Sequence, residues 1–350
     1  MKKILYLFLA LILLMLFIAS PWKSEEVLSE RQTKFFMGTV VEITLYGDKE
    51  ELKKEKTEKI FKEVFNEIEM LEDKFTSGKI IGGDPVILDE EAIFLIKKGV
   101  YFSQISQGSF DLTIGPVAKL WNIKPGEDNA IPLKEDIEDA LSLVDYKRIK
   151  FLSDNSLLLE KKGMFADFGA IAKGYAADKS RDILVKHGIK HGIINLGGNI
   201  YALGVKATEE GDRPWSFGIQ DPFMDRGDFI AIVKLKDQSL VTSGIYEKFF
   251  EEEGFIYHHI FNPQTGYPIE NNLLSVSIIS DESLDGDALS TAVFAAGLDK
   301  GMAILEEYGK AEGIFITKDN EIFLTSGIFK EDFILIKDEK YKIKEYEIYG

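Results

Sequence analysis

Hydrophobic and polar positions follow three rhythms along this chain, and each predicts a different kind of element. The first is an unbroken apolar run, Ile4 to Ala19, preceded by Lys2 and Lys3 and closed by Lys23. As a helix, the stretch between Lys3 and Lys23 is roughly 28 Å long, close to the ~30 Å of a hydrocarbon core. The paired lysines place that end in the cytoplasm. Residues 1–23 therefore read as an uncleaved signal anchor, with the remainder at the extracytoplasmic face of the cell membrane. A cleavable signal peptide, which would leave an exported protein, is the rival reading. Against it, Phe17 falls at −3 if cleavage follows Ala19, and Pro21 at +1 if it follows Ser20. Residues 24–34 read as a flexible stalk.

The second rhythm is helical. Ile60, Val64, Ile68, Leu71 and Phe75 put an apolar stripe on an otherwise charged segment, predicting a helix from about Asp48 to Phe75. Further helices are expected over Glu90 to Gln107, capped by Asp89, over Lys134 to Leu143, over Ala288 to Ala296 and over Lys300 to Tyr308. The third rhythm is β: β-branched residues over Gly38 to Tyr46, a hairpin turning at Asp154-Asn155, and another turning at Asp319-Asn320. Strand-turn-helix at Met164 to His187, strand-turn at Gly192 to Leu203, and strands near Trp215–Gln220, Phe229–Leu235 and Leu274–Ser280 complete the pattern. Strands and helices mix without a βαβ period, so the class is α+β. The last twenty residues, Glu331 to Gly350, alternate enough to add one or two edge strands as a C-terminal extension.

Composition narrows the chemistry. With 42 Lys plus Arg against 59 Asp plus Glu, the net charge is −17, and such a surface repels nucleic acid. The absence of Cys excludes disulfides, thiolate nucleophiles, zinc ribbons and iron–sulfur ligation. Four histidines leave little room for a His-rich metal site, so any metal here is a hard cation on oxygen ligands.

Three segments could carry chemistry. Ala166-Asp167-Phe168-Gly169-Ala170-Ile171-Ala172-Lys173-Gly174-Tyr175 turns into a helix start with small residues and one lysine, suited to close approach of a phosphate. It suits equally a helix packed through a small face with Lys173 in solvent. In Asp285-Gly286-Asp287-Ala288-Leu289-Ser290-Thr291, a helix would bring Asp287, Ser290 and Thr291 onto one face, a set that suits Mg²⁺. An ordinary N-cap with an acidic first turn reads the same way. Half of the histidines lie in Tyr257-His258-His259-Ile260-Phe261-Asn262-Pro263, a strand running into a tight loop. There a His could be a general base or a satisfied structural imidazole. Asn195-Leu196-Gly197-Gly198-Asn199 and Val241-Thr242-Ser243-Gly244 are Gly-bearing turns that match no Walker or dinucleotide fingerprint.

The order of these segments is more specific than any one of them. Met37-Gly38-Thr39, Phe110 to Pro116, Asp167 to Gly174, Leu196 to Asn199, Thr242-Ser243-Gly244, His259 to Gly266 and Asp287 to Thr291 follow one another along the chain. In that order the chain resembles the ApbE-type flavin transferase family (FAD:protein FMN transferase) over about Phe35 to Gly327. The resemblance implies an α+β fold of antiparallel sheets with packed helices in two closely associated subdomains, the flavin transferase domain occupying residues 35–330. It implies Mg²⁺-dependent transfer of FMN from FAD to a Thr or Ser hydroxyl of an acceptor flavoprotein, with release of AMP. FAD contacts are implied at Met37, Phe75, Phe110, Asp111, Leu112, Asp167, Lys173 and Phe261. The metal is implied on Asp287, Ser290 and Thr291 with the Ala170 carbonyl, and His259 is similar to a histidine that activates the acceptor.

Phe75, Ser290 and Asn262 stand where relatives often have Tyr, Asp and Asp, and there is no lipid-anchor Cys. No Ser/Thr-Gly-Ala-Thr acceptor run occurs in the chain, so the acceptor is expected in trans, as a subunit of a membrane redox complex. The alternatives are an FAD pyrophosphatase yielding FMN and AMP, and a membrane-tethered FAD-binding protein without catalysis.

Overall fold

A computed structural model describes residues 28–75, 80–124, 126–206, 211–225 and 227–346. The expected anchor lies outside these residues, and no helix among them is long and apolar enough to cross a membrane. The chain opens with β1 (Leu28–Phe36) and β2 (Thr39–Gly47), paired from Leu28↔Gly47 to Phe36↔Thr39. The described part of the expected stalk is thus an edge strand. It escaped detection because most of its residues are exposed, so no two-residue alternation marks it. Helices α1 (Lys54–Phe75) and α2 (Glu90–Ile105) flank the two-residue β3 (Val86–Ile87). The whole predicted stripe of α1 is buried, and the Asp89 carboxylate caps α2 by accepting from Ala92 N at 2.8 Å.

Then come α3 (Gly115–Trp121), α4 (Lys134–Leu141), and the hairpin β4 (Ile149–Ser153) and β5 (Ser156–Leu159), turning where expected. No strand forms over residues 164–168, where only Phe165 bridges to Ile81. That segment leads into α5 (Ala172–Lys186). There follow β6 (His191–Leu196), β7 (Asn199–Leu203), β8 (Trp215–Gln220), β9 (Phe229–Leu235), β10 (Gln238–Gly244), β11 (Phe249–Glu252), β12 (Phe255–His258) and β13 (Leu273–Ser280). The chain continues through α6 (Ser283–Ala296), α7 (Leu298–Tyr308), β14 (Ala311–Thr317), β15 (Glu321–Leu324), β16 (Phe333–Leu335) and β17 (Lys342–Lys344).

Nine strands form one sheet in the order β1-β2-β6-β7-β10-β13-β14-β15-β17, antiparallel except for the β15–β17 pair. One face buries Val41, Ile43 and Leu45 of β2 against Ile60 and Val64 of α1 and Ala288 of α6. The other face buries Leu240, Ile314 and Ile316 against Trp215, Ile219 and Val233 of the three-stranded β16-β9-β8 sheet. A smaller core of Val117, Trp121, Ile137 and Phe261 joins α3 and α4 to the loop after β12. The architecture is therefore mixed α+β with antiparallel sheets and seven α-helices among the described residues.

The C-terminal extension closes the second core. It supplies one strand to each sheet, and Tyr341, fully buried, donates to Asp221 at 2.8 Å. Asp221 is itself fully buried, and Lys337 Nζ lies 2.8 Å from its other oxygen. Burial alone would raise this carboxyl, but the Lys337 ammonium, the Phe223 amide and the Tyr341 hydroxyl outweigh it and hold the pKa at about 2. Asp221→Ala strands three donors and should cost about 3 kcal/mol, read as a lowered urea midpoint. Because the folded pKa lies below the unfolded value, this stabilisation is complete above about pH 4. It is lost as pH falls through 2, so wild type and variant should converge only in strong acid.

Candidate active site

The site is built where the N-terminus of α5 crosses the N-terminal half of α6. Before α5, the Asp167 carboxylate accepts from Gly169 N at 2.7 Å, and Ala172 N reaches back to the Phe168 carbonyl at 2.8 Å. These bonds turn the chain sharply into the helix, as the small residues of this segment suggested. A regular helix would give the Gly174 amide to the carbonyl four residues earlier, that of Ala170. Here it goes to Asp287 Oδ2 at 2.9 Å instead. The Ala170 carbonyl receives no hydrogen bond among the described residues, which leaves it an available oxygen donor.

The crossing depends on Gly174. A Cβ there would lie 2.3 Å from the Ser283 carbonyl oxygen and 2.7 Å from Leu284 Cα, both backbone atoms that cannot rotate away. Gly174→Ala should therefore push α5 from α6 and cost about 2 kcal/mol, the usual scale of overpacking, measurable by denaturant unfolding. The small-face packing expected from the sequence is present, but Lys173 is turned to the protein and not left in solvent. Lys173 Nζ lies 3.6 Å from Asp287 Oδ1 and 3.2 Å from the Gly169 carbonyl.

Helix α6 begins at Ser283, four residues before Asp287, so Asp287 sits inside the second turn and is no N-cap. The early start is fixed from α5: Asp178 accepts from the amides of Ser283 at 2.7 Å and Leu284 at 2.9 Å. Burial pushes the Asp178 carboxyl up to about 7 against the pull of these two amides. Asp287 is 3% exposed, and Thr291 lies one turn further along the same face.

Ser290, expected among the metal donors, is held inside the crossing. It is fully buried, and its hydroxyl donates to the Asp287 carbonyl at 2.9 Å. The Ser243 hydroxyl, at the end of β10, lies 2.8 Å from that of Ser290 and 3.4 Å from that of Thr291. This relay links the three hydroxyls across β10 and α6. Sequence reading singled out the Thr242-Ser243-Gly244 turn without assigning Ser243 a role; its pairing comes from a strand that only the fold brings alongside. Besides these hydroxyls, the crossing carries the Asp287 carboxylate and the unbonded Ala170 carbonyl, and Ala170 and Thr291 are half-buried where Asp287 is buried. Such an all-oxygen set with one carboxylate fits a hard divalent cation that completes its shell with phosphate and water. No group of three His, Asp or Glu side chains that could hold a metal converges anywhere among the described residues, so any cation here also relies on hydroxyl and carbonyl oxygens.

The two histidines separate cleanly. His258, 3% exposed, donates from Nε2 to the Ile269 carbonyl at 2.9 Å and accepts the Ile260 amide on Nδ1 at 3.2 Å. Burial depresses it to about 4, and it is the satisfied structural imidazole. His259 keeps one nitrogen engaged: its Nδ1 and its amide both face the Lys248 carbonyl, at 3.3 and 3.1 Å. No partner holds its Nε2 among the described residues. His259 is half-buried, and that burial, with the charge of Lys248, the neighbouring His258 and Lys173, depresses it to about 3.

Most of the expected flavin contacts are buried. Phe75 packs on Phe168 at 5.0 Å, both rings buried next to the Asp167 turn. Met37, with φ 51°, and Gly38, with φ 69°, make the two-residue β1–β2 turn, and the Met37 amide is held by Glu72 at 2.7 Å. Phe110, Asp111 and Leu112 are buried to the same degree as Phe75. Asp111 accepts from the Thr113 amide and hydroxyl and from Tyr146 N, while the Leu112 carbonyl holds Asp167 N at 2.8 Å. This segment supports the Asp167 turn from beneath; its buried Asp111 carboxyl is shifted up by desolvation. Phe261 is buried against Trp121 at 5.9 Å. Asn262 accepts from Gln264 N at 2.8 Å, a bond an Asp would also make, so its substitution is neutral for the turn.

The sequence pattern of the ApbE family matches residues 37–315, a span that takes in every motif segment above. The chain belongs to the ApbE family. A relative from Klebsiella pneumoniae (strain 342), named FAD:protein FMN transferase, is 38% identical over 247 residues, covering 70% of this chain and 75% of that protein. Another of the same name, from Treponema pallidum (strain Nichols), is 35% identical over 275 residues, covering 75% of each. Among solved structures, an ApbE protein from Thermotoga maritima matches with a TM-score of 0.75 at 31% identity, over 85% of this chain and 97% of that one. The flavin transferase ApbE from Vibrio cholerae matches with a TM-score of 0.76 over 86% and 98%; at 22% identity it supports the ApbE fold alone.

Proposed function

We propose that this protein transfers the FMN half of FAD to a Thr or Ser hydroxyl of an acceptor protein and releases AMP. The observation that carries the reading is the convergence at the α5–α6 crossing. There a buried carboxylate meets a lysine, with the Thr291 hydroxyl one turn along and an unbonded Ala170 carbonyl at the α5 start, and His259 Nε2 has no partner among the described residues. The relatives' names and the ApbE membership support it.

Asp287, Thr291 and the Ala170 carbonyl would hold Mg²⁺, which when bound withdraws charge from the pyrophosphate and orients it. Lys173 adds positive potential at the α5 start, where a protein of net charge −17 otherwise disfavours an anionic substrate. His259 Nε2 accepts the proton of the attacking hydroxyl. The new bond forms between that oxygen and the flavin-side phosphorus, and the bond to the bridging oxygen breaks, so that AMP leaves with it. The Phe75–Phe168 pair and the Met37 turn would bound the flavin.

The N-terminal run from Ile4 to Ala19 supports a membrane-anchored enzyme at the extracytoplasmic face, acting on the exported domain of a membrane redox complex. The test is incubation of the protein with FAD, Mg²⁺ and such a domain, followed by separation of the products. Covalent flavin on the acceptor supports the proposal. Free FMN with AMP and no adduct would make the protein a pyrophosphatase, and unconsumed FAD would make it a binder.

A further inference from the structure

The β11–β12 hairpin stands outside the other sheets and pairs only with itself, from Phe249↔His258 to Glu252↔Phe255. Its tip, Glu253 and Gly254 with φ of 51° and 81°, is the two-residue turn that matches strand twist, so the hairpin is a defined projection. Its base is anchored: Phe250 stacks on Tyr257 at 5.1 Å, and Tyr257 on Trp121 at 5.7 Å. Its outer part is bare. Phe255 is 64% exposed and Ile256 47%, and Glu251, Glu252 and Glu253 form no ion pair among the described residues.

This projection is continuous with the active site. Strand β12 ends at His258, the next residue is His259, and the carbonyl holding the His259 amide belongs to Lys248, immediately before β11. Bare apolar strands with open edges invite association, and flanking charge decides which partner is accepted.

We propose that the β11–β12 hairpin is the docking strip for the acceptor protein, engaging an extended segment whose hydroxyl residue is flanked by basic and apolar residues. The inference rests on the transferase reading. An extended segment can add to an open strand edge through main-chain hydrogen bonds, while side chains give selectivity. Four residues along β12 cover roughly 13 Å, so a segment bound near the tip carries its hydroxyl to His259 within one strand length. The exposed Phe255 and Ile256 bind its apolar residues, and the three glutamates attract its basic ones.

The test uses the full protein with FAD, Mg²⁺ and two peptides that share a Ser-Gly-Ala-Thr core, one flanked by lysines and one by glutamates. Wild type should flavinylate the lysine-flanked peptide with kcat/KM at least about tenfold higher, a preference that shrinks as salt is raised. The triple variant Glu251→Lys, Glu252→Lys, Glu253→Lys should invert the preference, a result no misfolded protein produces. Phe255→Ser should raise KM for both peptides. Flavinylation indifferent to flanking charge in both proteins would overturn the docking strip and leave the transferase reading intact. Bound FAD with no adduct on either peptide would count against the transferase reading itself.

Discussion

Asp287→Ala should reduce flavin transfer at least a thousandfold, on the order of 4 kcal/mol of transition-state stabilisation. Two losses combine. The carboxylate is the anionic member of the donor set proposed with Thr291 and the Ala170 carbonyl, so cation affinity should fall with it. It also accepts the Gly174 amide and faces Lys173, so its removal strands a buried donor and leaves a cation without its counter-charge. The second loss alone could loosen the α5–α6 crossing, and Asp287→Asn separates the two effects. The amide oxygen can still accept from Gly174, whereas the charge is gone. Asn should keep the unfolding midpoint within about 1 kcal/mol of wild type and still fail in transfer. Comparable Mg²⁺ dependence of transfer in wild type and Asp287→Asn would remove the carboxylate from the metal assignment.

His259→Ala should lower the rate of transfer about 10²- to 10⁴-fold with little change in FAD affinity, the range for a positioned general base. The contrast with its neighbour is diagnostic. His258→Ala removes a buried imidazole bonded to Ile269 and Ile260 and should appear as lost stability. His259→Ala removes a group whose Nε2 holds up nothing in the fold and should appear in kcat. The pH dependence follows from the same surroundings. His259 accepts a proton only when neutral, and burial with the charge of Lys248 and Lys173 keeps it neutral down to about pH 3 in the free enzyme. The profile of kcat/KM, which reports the free enzyme, should therefore show no loss of activity near 6.5, where an unperturbed imidazole would protonate. Anionic phosphates entering beside Lys173 raise the imidazole again, so kcat should show its acid limb at higher pH than kcat/KM. An acid limb of kcat/KM near 6.5 that disappears in His259→Ala would contradict the geometry described for this ring.

Much of the local structure could be read from residue order because local patterns dictated it. The α1 stripe, the Asp89 cap and the turn at Asp154-Asn155 each depend on residues within one or two turns of chain. What escaped reading depended on distant partners. Strand β1 carries few buried residues and becomes a strand by pairing with β2. Helix α6 starts early because Asp178, more than a hundred residues away, receives its first amides. The same division runs through the site. The i, i+4 spacing of Asp287 and Thr291 announced an oxygen-rich helix face. The relay through Ser243 to Ser290 needed β10 alongside α6, and the burial of Asp111 needed the Thr113 and Tyr146 partners. The adjacent histidines offered no distinction in sequence. Their separation comes from where β12 ends, with His258 turned to the core and His259 bonded through Nδ1 and its amide to Lys248.

The most direct test of the account is the stoichiometry of the reaction between the full protein, FAD, Mg²⁺ and a purified acceptor domain, with AMP quantified by chromatography and covalent flavin by intact mass. The account predicts one AMP for each FMN attached to a single Thr or Ser hydroxyl, and loss of both when that acceptor residue is replaced by Val. AMP released with free FMN and an acceptor of unchanged mass would contradict it.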